Sequence, residues 1–170
     1  MPDPFWTRFG GVAFIDLSEK PTGALKWFLK APSYLFRAKL GFLFGKRFVM
    51  IEHRGRKSGN LYRTVIEVAG RKPEASEYIC TSGTGPHADW YRNLQSDGLE
   101  AVWVGSGRHA DATVRFLEAD EAATFMAEYE REHPKTAVKL YDVMGVSYDG
   151  TDEDRVRMMT EIPMVAFHLP

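Results

Sequence analysis

Apolar and polar residues alternate along several short stretches of the chain, and this alternation predicts β-strands. The first predicted strand is Arg47–His53. In the second, Tyr62–Val68, successive side chains are expected on opposite faces, with Tyr62 and Thr64 on the face of Ile66 and Val68. Further strands are predicted at Glu77–Ser82, Leu99–Val104, His109–Leu117 and Ile162–Leu169.

Turn residues and helical spacing predict the remaining elements. Gly70–Glu74 is expected to be a polar turn, and Gly105–Gly107 to close a hairpin. Asp89 is expected to cap a short helix that ends near Gln95, with Trp90 and Leu94 on one face. The other predicted helices are Gly23–Lys30, Pro32–Leu40, Glu121–Glu132, Pro134–Met144 and Asp152–Thr160.

Six strands with helices at both ends predict an α+β fold, a small and mostly antiparallel barrel. A chain of 170 residues is long enough for one core, so a single domain is expected over 1–170. Within it, residues 1–45 are predicted to form an N-terminal arm and helices, 46–117 the barrel strands, and 118–170 further helices with the final strand.

Composition limits the classes of partner. The formal net charge of -1 gives no general attraction to nucleic acid. The single cysteine, Cys80, excludes an internal disulfide and is expected to be a buried, inert thiol. No signal peptide or apolar run of membrane-spanning length is visible, so a cytoplasmic protein is expected. The basic amphipathic stretch 32–40 is expected to cap the barrel, with weak association with a membrane surface as the alternative.

Positive charge is concentrated where the first predicted strand connects to the second. Arg54, Arg56, Lys57 and Arg63 accompany Ser58 and two glycines there. Glycines permit close backbone approach, and arginine and lysine bind phosphate, so the stretch is a candidate anion site. A solvated turn is the alternative. The pattern is not a Walker loop, because strand-like residues rather than a helix follow it.

The sequence shows no reactive group of its own. Its five histidines are scattered without metal-ligand spacing, and there is no G-x-S-x-G nucleophile motif. If the protein is an enzyme, a bound cofactor is therefore expected to supply the chemistry.

Three motifs in order carry a family resemblance. G-R-K-S-G at 55–59 is followed by Arg63, then T-S-G-T-G at 81–85 with D-W-Y-R-N-L at 89–94, and finally I-P-M-V at 162–165. This arrangement resembles the deazaflavin-dependent nitroreductase family, whose members use coenzyme F420 on a split β-barrel. The resemblance implies a reductase that transfers a hydride from the reduced deazaflavin to an electron-poor acceptor: a quinone, an activated enone or a nitro compound.

The resemblance also implies roles for particular residues. Arg54, Arg56, Lys57, Ser58 and Arg63 match the cradle for the phosphate and acidic tail of the coenzyme. Ser82, Gly83 and Gly85 would approach its ring system, beside Trp90, Tyr91 and Asn93, although Trp90 could equally be a core anchor. Tyr129, Tyr141 and Tyr148 are candidates for the substrate pocket by residue type.

The chain departs from the family pattern at Glu52 and His53, where small hydroxyl residues are usual, and at Thr64-Val65-Ile66, which lacks the usual proline. A lysine common beside the third-strand glycines is absent, with Thr84 there instead. Two alternatives stay open: an oxidoreductase that binds flavin mononucleotide, and a protein that holds deazaflavin, haem or a hydrophobic ligand without turnover. Monomer and homodimer are both compatible with the sequence.

Overall fold

The computed structural model describes residues 45–135 and 147–170, together with residues 36, 38, 40, 137, 138 and 141. The predicted N-terminal arm and the helix at 23–30 lie outside the described residues, as do most of the predicted helices at 32–40 and 134–144. The chain divides into two compact units. The sheet unit runs up to Leu117 and resumes at Ile162–Pro170, and the helical unit contains Glu118–Glu161.

The described residues of the sheet unit include one seven-stranded sheet and a short helix, α1, at Asp89–Leu94. Every strand pairing is antiparallel, and the strand order is β5-β4-β1-β2-β3-β7-β6. The strands are β1 Phe48–Arg54, β2 Leu61–Lys72, β3 Glu77–Thr81, β4 Leu99–Val104, β5 Gly107–His109, β6 Thr113–Phe116 and β7 Met164–His168.

The long strand β2 joins the two halves of the sheet. Its first half pairs with β1 and its second half with β3, and a register shift separates them between Val68 and Gly70. A bulge of this kind bends a strand and increases its twist. Side chains of both halves consequently meet in one core, which includes Val49 and Ile51 from β1 and Val165 and Phe167 from β7. This is the predicted α+β split β-barrel.

Two elements of the predicted sheet were wrong. Gly70–Glu74 is not a free turn: β2 continues to Lys72, and a 3-10 turn, Pro73–Ala75, follows. The predicted strand His109–Leu117 is two strands on opposite edges of the sheet, so the described residues form seven strands rather than the predicted six. Gly105, at φ +55°, closes the predicted hairpin between β4 and β5, and the chain then crosses to pair β6 with β7.

The described part of the helical unit includes α2 at Ala119–Glu132 and α3 at Asp152–Glu161, close to the predicted positions. α2 buries Ala122, Ala123 and Met126, which follow the helical spacing of the sequence. No helix within the described residues is long and apolar enough to cross a membrane.

Candidate functional site

The connection between β1 and β2 folds back on itself. The amide of Gly55 donates to the carbonyl of Asn60 at 2.9 Å, and the amide of Gly59 donates to the carbonyl of Gly55 at 2.7 Å. Gly59 has φ +67°, a conformation that glycine adopts without strain. A Cβ on Gly55 would lie 2.7 Å from both Ser58 Oγ and a ring carbon of Tyr62. Gly59 therefore suits the positive φ of this turn, and Gly55 leaves room for Ser58 and Tyr62 to pack against the backbone.

Helix α1 holds this connection in place. The Oδ1 atom of Asn93 accepts hydrogen bonds from the backbone amide of Arg56 at 3.1 Å and from its Nη1 at 2.9 Å. Nη1 also donates to Asp89 Oδ1 at 3.0 Å. The predicted helix cap is shifted by one residue: Ala88 occupies the cap position, and the Asp89 carboxylate bonds Arg56 instead.

A second set of hydrogen bonds runs from α1 to the strands. Asn93 Nδ2 lies 3.1 Å from His53 Nδ1, and His53 Nε2 lies 3.0 Å from Thr64 Oγ1. The ring of His53 also stacks on Tyr62, with 5.9 Å between centroids. Burial lowers the pKa of His53 to about 4, and the charge of Asp89 opposes this shift only in part. His53 is therefore a neutral hydrogen-bonding group at physiological pH.

On the opposite face of β1 and β2, the buried carboxylate of Glu52 lies between two arginines. Its Oε1 accepts from Arg63 Nε at 2.9 Å, and its Oε2 accepts from Arg108 Nη2 at 2.7 Å. Burial opposes ionisation of Glu52, but the hydrogen bonds and charges of Arg108 and Arg63 outweigh it and lower its pKa. Glu52 departs from the family pattern and acts as the anchor of Arg63.

We call residues 54–63, which join β1 to β2, the basic connection. Its cations differ in the hydrogen bonds and ion pairs that they form. Arg54 donates from Nε to Glu100 at 2.6 Å and from Nη1 to the carbonyl of Gly59 at 3.1 Å. Lys57 is exposed and forms no ion pair with any residue in the described part of the chain. Lys57 is thus the cation of this stretch with the greatest freedom to meet an anion.

A cavity of about 550 Å³ opens beside this connection and α1; we call it the basic cavity. Three of its lining residues are cations, against one carboxylate, that of Asp89. Six residues predicted for cofactor binding line it: Arg56, Lys57, Ser58, Arg63, Trp90 and Asn93.

Five other predicted residues do not line the basic cavity: Arg54, Ser82, Gly83, Gly85 and Tyr91. The hydroxyl of Ser82 is buried and donates to the carbonyl of Gly85 at 2.7 Å, so it closes a turn. The ring of Tyr91 is in the core, edge-on to Phe116 at 5.2 Å. Trp90 has both roles considered for it, because it packs against the core and also lines the cavity.

Sequence reasoning did not assign several of the cavity residues. Tyr62 and Thr64 follow from the alternation of β2, since Ile66 and Val68 on the same face contact the core. His53 was visible as a departure from the family pattern, without a function. The other unassigned lining residues are Gly55, Thr84, Ala88 and Asp89.

The three tyrosines proposed for a substrate pocket belong to the helical unit. Tyr141 and Tyr148 both donate to the carboxylate of Glu130, at 2.5 and 3.3 Å, and their rings meet edge-on at 5.2 Å. Burial and the carboxylate of Glu130 raise the pKa of both hydroxyls. Tyr129 packs against the ring of His133, with 5.1 Å between centroids.

Reactive groups of the described residues are few. Cys80 is buried in the core, and burial raises the pKa of its thiol, which confirms the predicted inert thiol. No three His, Cys, Asp or Glu side chains in the described ranges are grouped as a metal site would require. The basic cavity therefore offers positive charge, neutral hydrogen-bonding groups and flat rings, which suit an anionic ligand with an aromatic portion.

Fold and cavity together define an antiparallel split-barrel protein with a cation-rich connection between its first two strands. Comparison with protein families makes this more specific. The chain belongs to the F420H(2)-dependent quinone reductase family, whose model matches residues 35–144. It is accordingly an oxidoreductase whose cofactor is coenzyme F420.

Solved structures resemble the chain more distantly. An F420-H2-dependent reductase, FDR-A, is 19% identical over 72% of this chain and 95% of its own, with a TM-score of 0.46. A domain-swapped dimer is 17% identical over 81% of this chain and 100% of its own, also with a TM-score of 0.46. A Clostridium acetobutylicum protein of the pyridoxinephosphate oxidase family, related to a Bacillus subtilis general stress protein, is 9% identical over 80% and 84%, with a TM-score of 0.39. No curated protein matches the sequence significantly.

Proposed function

We propose that this protein reduces a quinone-type acceptor with a hydride from reduced coenzyme F420, and that the coenzyme binds in the basic cavity. The observation that carries the proposal is the cavity itself, where Arg56, Lys57 and Arg63 meet at a glycine-shaped strand connection. Its size of about 550 Å³ is within the range of small-molecule sites.

The residues present fit the coenzyme. Its phosphodiester and polyglutamate tail are anionic, and the cavity has more cations than carboxylates. Arg56 uses Nη1 to bond α1, which leaves Nε and Nη2 without a partner among the described residues. With Lys57, these atoms provide charge-assisted donors for phosphate and carboxylate oxygens.

The chain's own contribution is to bind and orient the reactants. Bound coenzyme supplies the hydride. Trp90 and the stacked pair of Tyr62 and His53 offer flat surfaces inside the cavity, suited to a ring system. Since His53 is neutral, it provides hydrogen bonds without placing a further charge beside an electron-rich ring. Correct placement of two reactants accounts for much of the barrier reduction in such a reaction.

Equilibrium binding tests the cavity assignment. Lys57→Ala is the cleanest variant, because Arg56→Ala would also remove the bonds to Asn93. We expect Lys57→Ala to weaken binding of oxidised coenzyme F420 roughly 10- to 100-fold in a fluorescence titration, since a charge-assisted bond is lost. Lys135→Ala is the matched control, because Lys135 is also exposed but belongs to the helical unit.

If Lys57→Ala and Lys135→Ala bound the coenzyme equally well, the cavity would not hold its anionic groups. A parallel titration with flavin mononucleotide should show weaker binding than the deazaflavin. Stronger binding of the flavin would contradict the choice of cofactor.

The acceptor is tested by steady-state kinetics with reduced coenzyme F420. A panel of quinones, activated enones and nitroaromatics covers the acceptors suggested by the sequence. We expect the highest kcat/KM with a quinone, in agreement with the family to which the chain belongs. A higher value for an enone or a nitroaromatic compound would contradict the quinone proposal and leave the deazaflavin chemistry intact.

A further inference from the structure

In the series of hydrogen bonds that links Asn93, His53 and Thr64, the donor and the acceptor of each bond can be assigned, starting from Asn93. Its Oδ1 faces two groups that can only donate, the backbone amide and Nη1 of Arg56. The opposite amide orientation would point the NH₂ group at these two donors. The amide of Asn93 is therefore fixed with its oxygen toward Arg56 and its nitrogen toward His53.

This orientation determines the tautomer of His53. Asn93 Nδ2 is a donor, so His53 Nδ1, 3.1 Å away, must accept and carries no proton. A neutral imidazole with an unprotonated Nδ1 carries its proton on Nε2. Nε2 lies 3.0 Å from Thr64 Oγ1 and therefore donates to it.

The same assignment of donors and acceptors extends to the hydroxyl of Thr64. Its oxygen accepts from His53, and its own proton has no acceptor among the described residues. Thr64 lies on the face of β2 that carries Tyr62 and lines the basic cavity. We propose that Thr64 presents a hydroxyl donor, held by His53 and Asn93, to an acceptor oxygen of a molecule bound in this cavity.

The inference rests on the proposed function for the identity of that molecule. An acceptor oxygen belongs both to the coenzyme, as a carbonyl or phosphate oxygen, and to a quinone, as a carbonyl. Thr64 is therefore a specificity-determining residue, and His53 and Asn93 are positioning residues. The arrangement uses His53 and Thr64, two positions at which this chain departs from the family pattern.

Two variants of Thr64 separate the hydroxyl from the space that it fills. Thr64→Val keeps the branched shape and removes the donor, while Thr64→Ser keeps the donor and removes a methyl group. We expect Thr64→Val to weaken binding of one reactant roughly 3- to 10-fold, the effect of one neutral hydrogen bond, and Thr64→Ser to restore it.

Two measurements identify the source of the acceptor oxygen. A higher Kd for oxidised coenzyme F420 in Thr64→Val places it on the coenzyme. A higher quinone KM with an unchanged Kd for the coenzyme places it on the acceptor. If neither constant changes, or if Thr64→Ser is as impaired as Thr64→Val, the proposal is overturned.

A third measurement needs no bound coenzyme. Long-range ¹H–¹⁵N NMR of the free protein at neutral pH should show His53 as the Nε2–H tautomer, with a shift of the Nε2 proton in Thr64→Val. The Nδ1–H tautomer would overturn the proposal. This result is independent of the proposed function, which fails separately if the unmodified protein does not bind coenzyme F420.

Discussion

The amide oxygen of Asn93 accepts two hydrogen bonds from Arg56, one from the backbone and one from the guanidinium group. The helix that carries Asn93 is only six residues long, so its position depends on such contacts as well as on its own core side chains. The same amide donates to His53. The buried side chain of Asn93 thus bonds α1 both to the basic connection and to the end of β1.

Replacement of Asn93 should destabilise the protein more than its size suggests. We expect Asn93→Ala to lower the free energy of unfolding by roughly 3 kcal/mol, because one buried and two partly buried hydrogen bonds are lost and one of them involves a charged donor. Chemical denaturation measures this change. Asn60→Ala is the control, since that side chain is exposed, and equal losses in the two variants would contradict the role of Asn93.

Gly98 should tolerate no side chain. A Cβ at this position would lie 2.6 Å from the carbonyl oxygen of Asn93 and 2.8 Å from that of Arg54, and both are backbone atoms that cannot move aside. We expect Gly98→Ala to cost roughly 2–3 kcal/mol of unfolding free energy. At Gly107 the nearest atom is the end of the His109 side chain, at 3.1 Å. A thermal shift in Gly107→Ala as large as in Gly98→Ala would refute this account.

The sequence predicted the elements of the sheet better than their connections. Strand alternation placed Tyr62 and Thr64 on the face of Ile66 and Val68 because the period of a strand is fixed. It did not separate β5 from β6, because both are short and only Ala110, Asp111 and Ala112 lie between them. Which edge each strand joins depends on long-range pairing, which a local pattern does not contain.

For the functional site, as for the sheet, the sequence predicted local features better than long-range contacts. The glycines and cations of the basic connection were recognisable because their chemistry is local to the sequence. The partners that orient them were not, since Asn93 lies 37 residues from Arg56 and Arg108 lies 56 residues from Glu52. Ser82 and Tyr91 matched a family motif, but the structure places the hydroxyl of Ser82 in a turn and the ring of Tyr91 in the core.

Two arginines of α3 should differ in their effect on stability. Arg155 is buried and donates to Glu130 at 2.9 Å and also to Asp152, while its guanidinium lies over the ring of Tyr148. We expect Arg155→Met to lower the free energy of unfolding by roughly 3–5 kcal/mol, because the carboxylate of Glu130 would lose its cation.

Arg157, on the same helix, is half exposed and pairs with Asp154 and Glu161. Arg157→Met should cost much less than Arg155→Met, as exposed ion pairs contribute little. Urea denaturation of both variants provides the comparison. A larger loss for Arg157→Met than for Arg155→Met would mean that burial does not determine the strength of these pairs.

The lowered pKa of His53 should make stability depend on pH. Between pH 6.5 and about 4, the unfolded chain binds a proton at His53 that the folded chain does not. The contribution of His53 to stability therefore falls as the pH falls through this window, by up to roughly 3 kcal/mol. In His53→Gln this contribution is absent, so the variant should lose less stability than the unmodified protein on acidification. Parallel loss in both proteins would show that His53 titrates normally.

Glu67 should make stability depend on pH in the opposite direction. Burial raises its pKa from 4.5 to about 7, and Arg47, with Nη2 at 3.8 Å from the carboxylate, opposes the shift only in part. Between these values the folded chain holds a proton that the unfolded chain releases, so stability falls as the pH rises. With 30% of the side chain exposed, the contribution is roughly 2 kcal/mol.

The pH dependences due to His53 and Glu67 can be measured separately, because the two residues lie at opposite ends of the pairing between β1 and β2. Glu67 pairs with Phe48, whereas His53 pairs with Tyr62. Their contributions should be additive at this separation. Between pH 4.5 and 6.5 they largely cancel in the unmodified protein. Glu67→Gln should then gain stability steadily as the pH rises, and His53→Gln should lose it, in urea denaturation at several pH values. If both variants kept the pH profile of the unmodified protein, neither group would titrate with the shifted pKa assigned to it.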